Sequence, residues 1–391
     1  MSRLLPGNDV RLLVCGMQYF PALEQAINAA RSEIFLETYI FADDDTGRRI
    51  ATALARAARR GVRVRVLVDG FGAREFELTH QRGLEADGVH VLTFRPEVGR
   101  LSFRRNRLRR MHRKMAVIDG ETGFVGGINI IDDMHTPHQT PPRFDYAVSV
   151  RGPLVARMQA ECQKLWERVA WATLQFRPRL PRAPHYGHRH AGRVRAALLV
   201  RDNLRHRHDI ENAYLQAIDA AYDEILIANA YFLPGRRFRQ ALIAAAARGV
   251  KVTLILQGRV EYALLHYASQ ALYGSLLSQG VRIFEYRRSF LHAKAAVVDR
   301  DWATVGSSNI DPFSLMLARE ANVVVRDAGF ADELRQSLRA AAKHGGRELR
   351  HRQWRSRPLH ERVMRWLAYG VVRLMIGLAG ERVSRHMLRK S

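Results

Sequence analysis

The pattern of hydrophobic and polar positions is repeated along the chain. Residues 33–41 and 224–232 are apolar runs of strand length, and each follows an alanine-rich stretch of helical character. In both copies a second helical stretch, at 48–60 and 236–248, leads through a glycine into another apolar run. Strands that alternate with helices of about 10–15 residues are typical of an α/β sandwich. The pattern therefore predicts an α/β fold of two sandwich repeats packed with pseudo-twofold symmetry.

The repeats divide the chain into four segments. We assign residues 1–176 to the first repeat and residues 196–345 to the second. Residues 177–195 are rich in Pro, His and Arg, which is typical of a linker. Residues 346–391 form a basic tail that lies outside both repeats, so its role needs a separate explanation.

The tail contains an amphipathic stretch at 361–380. On a helix, Arg362, Arg365 and Arg373 fall within one narrow arc. Apolar side chains fall roughly opposite them: Val363, Leu367, Val371, Leu374, Met375 and Leu378. This pattern predicts a helix that lies in the headgroup plane of a membrane, with its arginines towards the phosphates. The alternative is a helix docked on the core of the protein itself.

A short motif occurs at the matching place in each repeat. H-R-K-M-A-V-I-D begins at His112, and H-A-K-A-A-V-V-D begins at His292. Residues i and i+2 of a strand point to the same face, so His112 is presented together with Lys114, and His292 with Lys294. A single His-x-Lys on a strand usually consists of exposed side chains without a catalytic role. Because the motif is duplicated, each time with a trailing aspartate and a Gly/Asn cluster, the pattern predicts a catalytic site.

These residue types suit phosphodiester transfer. One imidazole can attack phosphorus, and a second, protonated imidazole can give a proton to the departing alkoxide. The two lysines supply positive charge to the non-bridging oxygens, and Asn129 and Asn309 can add neutral donors. No group of His, Cys and Asp residues in the sequence has metal-ligand spacing, so we predict a site without a metal or another cofactor.

Charge narrows the choice of partner. The 391 residues include 63 Lys and Arg against 38 Asp and Glu, a formal net charge of +25. Such a field favours an anionic partner, either nucleic acid or an acidic lipid surface. A run of arginines at 101–111 directly precedes the first motif, where it would contact lipid phosphates or remain in solvent. Cys15 and Cys162 cannot form a disulfide framework and indicate a reduced compartment.

The doubled H-x-K-x4-D, with tails G-G-x-N from Gly126 and G-S-x-N from Gly306, resembles the phospholipase D superfamily across roughly residues 8–345. Within that superfamily the chain is similar to the short bacterial cardiolipin synthases of the B type. Residues 37–49 and 306–314 carry this closer similarity. The resemblance implies two phospholipase D-like α/β sandwich repeats with the active site at their interface.

The resemblance also implies roles for the two histidines. His112 corresponds to the nucleophile that forms a phosphatidyl-histidine, and His292 to the general acid and base. The near symmetry of the two halves leaves the reverse division open. Either division uses both histidines in one reaction.

Four carboxylates follow the motifs. Asp145 and Glu320 resemble the carboxylates that hold a histidine by its second nitrogen, and the alternative is an ion pair with Arg143 or Arg319. Asp119 and Asp299 complete the motif and are grouped with the catalytic candidates. Their place at the strand ends is nevertheless typical of a structural cap or a salt-bridge partner.

The activity implied by the resemblance is phosphatidyl transfer from one phosphatidylglycerol to a second, with release of glycerol. The alternatives are a hydrolytic phospholipase D and a nuclease of the same superfamily. A non-catalytic membrane scaffold is disfavoured because it needs neither His-Lys pair. The implied partners are an anionic phospholipid substrate and a membrane surface, without nucleic acid. We expect peripheral attachment to the cytoplasmic face of the cell membrane, whereas oligomeric state and donor range are left open.

Overall fold

The computed structural model describes residues 3–96, 110–134, 140–174, 190–202, 206–311 and 318–387, with side chains as far as residue 375. Its first half contains β1 (Leu5–Val14), α1 (Cys15–Ala29), β2 (Glu33–Thr38), α2 (Asp45–Arg59), β3 (Arg63–Asp69), α3 (Arg74–Thr79), α4 (Gln81–Ala86), β4 (His90–Phe94), β5 (Arg110–Met111), β6 (Lys114–Ile118), β7 (Thr122–Gly126), β8 (Tyr146–Arg151) and α5 (Pro153–Ala172).

The second half repeats this order of elements. It contains β9 (Val194–Arg201), α6 (Asp209–Ala220), β10 (Glu224–Asn229), α7 (Arg236–Ala247), β11 (Lys251–Gln257), α8 (Ala263–Ala271), α9 (Tyr273–Leu277), β12 (Arg282–Tyr286), β13 (Lys294–Val298), β14 (Trp302–Gly306), β15 (Ala318–Arg326) and α10 (Ala328–Gly345). Three further elements follow: β16 (Gly346–Leu349), α11 (His351–Arg355) and α12 (Leu359–Met387).

The described strands form one mixed sheet whose order is mirrored about its middle. One side runs β4-β3-β2-β6-β7-β8-β1, and the other runs β9-β15-β14-β13-β10-β11-β12-β16. The two sides join where β1 pairs antiparallel with β9, with Leu5 opposite Ala196. Within this order, three neighbouring strands of each half pair in parallel and the others pair antiparallel. The mirrored order confirms the predicted α/β fold of two repeats.

Apolar side chains fill three layers around this sheet. Helices α1 and α2 cover one face of the first half, and α6 and α7 cover the matching face of the second. The remaining face of the sheet in the first half packs against the remaining face in the second half, with β7 and β8 beside β14 and β15. Helices α5 and α10 pack in this central layer, for example through Leu154 and Leu334, both fully buried. The catalytic motifs therefore belong to two halves held together by one continuous core.

The glycine that precedes an apolar run has a conformational reason in each repeat. Gly61 and Gly249 follow α2 and α7 with φ of 90° and 91°, in the left-handed region that glycine tolerates best. Each glycine ends its helix and turns the chain into the next buried strand. The strands predicted at 33–41 and 224–232 are shorter than expected, since they end at Thr38 and Asn229.

The boundary predicted between the second repeat and a separate tail is wrong. Strand β16 pairs antiparallel with β12, with Leu349 opposite Ile283. Trp354 on α11 is buried in the core of the second half. Residues 346–355 are thus part of the second half, because their backbone and side chains complete its sheet and core. Most of the predicted linker lies outside the described residues, and its last two positions already belong to β9.

Helix α12 has one docked face and one exposed face. Ala368 and Val372 are buried against Leu233, Ala268 and Leu272. The opposite side exposes a stripe of apolar side chains: Val363, Leu367, Val371 and Leu374. No helix among the described residues is long and apolar enough to cross a membrane. Docking and exposure therefore coexist on one helix.

The prediction that Arg365 faces outward is wrong. It is buried, and it donates hydrogen bonds to Gln270 Oε1 at 2.9 Å and to Glu361 Oε2 at 2.7 Å. Its guanidinium also lies 4.8 Å from the centre of the Trp354 ring. Because these partners satisfy the charge inside the protein, Arg365 anchors the helix to the second half. Arg362 and Arg373 are exposed, and the side chain of Leu378 lies beyond the described part of the helix.

Candidate active site

Each catalytic motif begins beside a strand of the opposite half. The backbone N–H of His112 donates to the Arg319 carbonyl at 3.0 Å, and the backbone N–H of His292 donates to the Phe144 carbonyl at 2.8 Å. Strand β5, just before His112, pairs in parallel with the start of β15. These contacts bring both motifs to the interface between the halves, where the sequence predicted the site.

The two carboxylates hold the histidines across that interface. His112 Nδ1 lies 3.0 Å from Glu320 Oε1, and His292 Nδ1 lies 2.6 Å from Asp145 Oδ2. Each half therefore supplies the carboxylate for the histidine of the other half. The alternative ion pair of each carboxylate with its neighbouring arginine is not found among the described contacts. Because Nδ1 is occupied in both rings, Nε2 is the nitrogen available for chemistry.

Both motif lysines are buried beside the histidines. Lys114 Nζ donates to the His112 carbonyl at 2.6 Å, and Lys294 Nζ donates to the His292 carbonyl. Lys294 Nζ also lies 3.6 Å from Asp145 Oδ2. Burial lowers the pKa of Lys114, to about 7 with a contribution from the charge of Lys294, and burial also lowers the pKa of Lys294, to about 8. Two cations close together in a buried site create a strong preference for an anion.

The two carboxylates differ in their acidity. Burial raises the pKa of Asp145 to about 6, although Lys294 and the Tyr146 N–H oppose the rise. Burial acts in the same direction on Glu320, but His112 and Lys114 outweigh it, so the pKa of Glu320 is lowered. Burial lowers the pKa of both histidines, and the lysines lower it further. At neutral pH the uncharged imidazole is thus favoured in both rings.

Asn129 and Asn309 lie on the loops after β7 and β14 and are buried. Asn129 Oδ1 accepts a hydrogen bond from the Ile40 N–H at 3.1 Å, which leaves its amide N–H groups as donors. Asn309 Oδ1 has no hydrogen-bond partner among the residues that the structure describes. Their proposed role as phosphate donors remains a prediction.

Asp119 and Asp299 were grouped with the catalytic candidates, but their hydrogen bonds indicate a structural role. Asp119 follows the last residue of β6, at the opposite end from Lys114, and Asp299 follows β13 in the same way. The Asp119 carboxylate accepts from the N–H groups of 31–33, at 2.8 to 2.9 Å. The Asp299 carboxylate accepts from those of 222–224. Both aspartates tie a loop to the start of a central strand, which is a structural role.

Tyr39 is a site residue that the sequence argument missed. Its ring centre lies 4.9 Å from that of His112, and Lys114 Nζ lies 5.3 Å from it. The position was visible in the run E-T-Y-I-F, but the second repeat has Ala230 there. Because the inference relied on duplication, a residue present in only one half gave no signal.

Arg143 is also near the second motif. Its guanidinium lies 4.5 Å from the ring centre of Phe290, and its charge lowers the pKa of His292. The arginine run at 101–111 lies outside the described residues except for its last two positions. Within the described ranges, no three His, Cys, Asp or Glu side chains form a group that could hold a metal ion.

Two His-Lys pairs, each completed by a carboxylate of the other half, define a class of enzyme that transfers phosphodiesters at a single doubled site. The family described as "Cardiolipin synthase, PLD-like domain" matches residues 23–166 and 214–341, one segment in each half. The chain belongs to this phospholipase D-like family of cardiolipin synthases.

Individual relatives agree with this assignment. Cardiolipin synthase B of Escherichia coli K12 is 41% identical over 336 residues, which cover 85% of this chain and 80% of the relative. Cardiolipin synthase A of Pseudomonas aeruginosa is 35% identical over 341 residues, covering 86% of this chain and 67% of the relative. The crystal structure of phosphatidylserine synthase from Haemophilus influenzae superposes with a TM-score of 0.72 over 96% of both chains. At 13% identity, that likeness concerns the fold alone.

Proposed function

We propose that the protein transfers a phosphatidyl group from one phosphatidylglycerol to a second, releasing glycerol and forming cardiolipin. The observation that supports this most strongly is the single site made from two His-Lys pairs with crossed carboxylates. The relatives named cardiolipin synthase support the choice of substrate. Hydrolysis and nucleic-acid cleavage use the same first step, so they differ in the molecule bound and in the acceptor.

In the first step, His112 Nε2 attacks the phosphorus of the donor lipid and forms a phosphatidyl-histidine. Lys114 and Lys294 bind the non-bridging oxygens, where negative charge grows in the transition state. His292, protonated while the anionic lipid is bound, gives its proton to the glycerol oxygen as the P–O bond breaks. Glu320 stabilises the positive charge on His112 through Nδ1.

In the second step, His292 Nε2 removes a proton from a hydroxyl of the second phosphatidylglycerol. That oxygen attacks phosphorus, the P–N bond to His112 breaks, and the imidazole leaves uncharged. Asp145, bound to His292 Nδ1 at 2.6 Å, stabilises the imidazolium that forms. Both histidines return to their initial state, so the cycle balances without a metal or cofactor.

We infer that a membrane surface binds the exposed stripe of α12 and that attachment is peripheral. Four neighbouring apolar side chains face solvent on that stripe, and Arg362 and Arg373 flank them as exposed cations. This combination favours the boundary between acyl chains and anionic headgroups. The cytoplasmic face remains our prediction, which labelling of an exposed tag in intact and opened cells would test.

The experiment is incubation of the purified protein with phosphatidylglycerol labelled in its phosphate, in the presence of a chelator. Cardiolipin and free glycerol are the expected products. If phosphatidic acid is the sole lipid product, the reaction is hydrolysis and the proposal is wrong. Cleavage of DNA with no lipid product would also overturn the proposal. His112→Ala should abolish product formation, whereas His344→Ala, at an exposed histidine on α10, should leave it unchanged.

A further inference from the structure

A second basic site lies behind the His112–Glu320 pair. A narrow cleft opens between α5, β9 and the start of β15. Arg113, the residue after His112, and Arg319, the residue before Glu320, both line it. Successive residues of an extended chain point to opposite faces, so these arginines point away from the catalytic pair. The cleft is thus a separate site on the other side of the same strands.

One face of α5 adds further cations to the cleft. Arg157, Lys164 and Arg168 line it, and they recur at helical spacing with Glu161 between them. Arg157 and Arg168 are exposed, and neither makes an ion pair or side-chain hydrogen bond with a described residue. Lys164 lies 3.7 Å from Glu161. Two of the helix arginines therefore present uncompensated charge to the cleft.

The other lining residues leave this charge largely unbalanced. Arg113 is paired with Glu37, with Nη2 and Oε1 2.7 Å apart, and Asp209 is paired with His206 at 2.7 Å. Asp202 is the carboxylate that attracts Arg319. Burial, together with the like charges of Arg113 and Arg168, lowers the pKa of Arg319 to about 10. Such mutual repulsion is relieved when an anion binds between the cations.

We propose that this cleft binds a phosphate group, held by Arg157, Arg168 and Arg319, at a site distinct from the catalytic centre. Guanidinium groups bind phosphate oxygens through paired N–H donors, so three that line one cleft suit this ligand chemistry. The source is either a free phosphate-bearing anion or the headgroup of an anionic lipid. The proposal does not depend on which reaction the catalytic site performs.

The test compares two double variants that remove equal charge. Arg157→Gln/Arg168→Gln changes the cleft, and Arg236→Gln/Arg237→Gln changes two exposed arginines of α7 as a control. Each full-length protein is titrated with inorganic pyrophosphate by calorimetry at constant ionic strength. Each is also co-sedimented with vesicles of equal parts phosphatidylcholine and phosphatidylglycerol. Melting without either probe checks that both variants are folded.

We expect the cleft variant to lose one pyrophosphate per chain, or about tenfold in affinity for it, relative to the control. Any pyrophosphate bound at the lysines of the catalytic site is unaffected in both variants and cancels in the comparison. A loss with pyrophosphate alone supports a free anion as the ligand. A loss with vesicles, alone or in addition, supports a lipid headgroup. If both probes bind the cleft variant as they bind the control, the proposal is wrong.

Discussion

At the scale of single residues, the two nearly identical motifs differ in the support of their carboxylates. A Cβ atom at Gly127 would displace the Asp145 carboxylate from its present position. The matching position in the second half is Ser307, whose hydroxyl donates to Glu320 at 2.5 Å. This extra hydrogen bond helps to keep the Glu320 carboxylate ionised. Because its carboxylate partner stays anionic, we expect the His112 ring to be the nucleophile.

The first prediction concerns the division of roles. A brief acid quench after mixing with labelled phosphatidylglycerol should trap lipid on His112, identified by peptide mass. In His292→Ala the loss of the acid and base should slow turnover by about 10²–10⁴-fold. The wild-type protein quenched before mixing is the control. Label on His292 would mean that the roles are reversed while the two-step reaction stands.

The second prediction concerns pH. Lys114 and Lys294 bind phosphate only when protonated, and their lowered pKa values of about 7 and about 8 mean that this charge is lost as pH rises through that range. Asp145, with a pKa raised to about 6, loses its charge as pH falls below that value. We therefore expect kcat/KM on detergent-dispersed lipid to be bell-shaped, with its maximum between these limits.

The control for the pH profile is Lys251→Met, which removes an exposed lysine far from the site and should leave the curve unchanged. A value of kcat/KM that continues to rise beyond pH 8 would contradict the assignment of the buried lysines as the phosphate-binding groups.

At the scale of elements, α12 combines two functions that sequence periodicity cannot separate. Its inner stripe is fixed by Arg365, Ala368 and Val372 against the second half. Its outer stripe stays apolar and exposed. Removing the whole helix would disturb both stripes at once. The two faces must therefore be changed independently.

The third prediction follows from this division. Leu367→Ser/Leu374→Ser removes two exposed apolar side chains, each worth roughly 1.5–3 kcal/mol when fully desolvated in a membrane. Co-sedimentation with phosphatidylglycerol vesicles should weaken strongly, with no change in melting. Val372→Ala, on the docked face, is the matched control and should lower stability by about 1–2 kcal/mol without changing vesicle binding. If the double variant binds vesicles as the wild-type protein does, α12 does not contact the membrane.

At the scale of the whole molecule, the two halves share a fold but differ in their central layer. The first half buries an ion pair between Glu37 and Arg113, which are 3% and 1% exposed. The aligned residues of the second half are Ala228 and Ala293, both fully buried. In the first half this space is filled by the charged pair, and Arg113 also contacts α5. In the second half the same space is filled by apolar neighbours.

The fourth prediction tests that buried pair. Glu37→Ala leaves the Arg113 guanidinium without its partner and should cost about 3–5 kcal/mol in the free energy of unfolding. The double variant Glu37→Ala/Arg113→Ala should lose less than the sum of the two single variants, because no unpaired charge remains. Asp301→Ala, which breaks an exposed ion pair with Arg326, is the control and should cost less than about 1 kcal/mol.

Denaturant unfolding followed by circular dichroism measures these differences. Strict additivity of the two single variants would contradict the prediction, since it would mean that Glu37 and Arg113 are not coupled.

The repeat, the order of elements and the pairing of each histidine with its lysine were all predicted from the sequence, because these features depend on local spacing. Asp145 and Glu320 were also identified as carboxylates of the site. The sequence could not tell which histidine each one holds, because that contact joins residues 147 and 208 positions apart. Tyr39 was missed for a related reason, since nothing local links it to His112.

The sequence by itself therefore determined the two sandwich repeats, the doubled motif and the net positive charge. The tertiary structure decided the crossing of the carboxylates, the burial of Arg365 and the structural role of Asp119. It also created the basic cleft, since Arg157 on α5 and Arg319 on β15 become neighbours only when the halves pack. The physical reason is that periodicity and strand alternation act over a few residues. Burial, pKa shifts and ion pairing depend on which distant segments exclude water from one another.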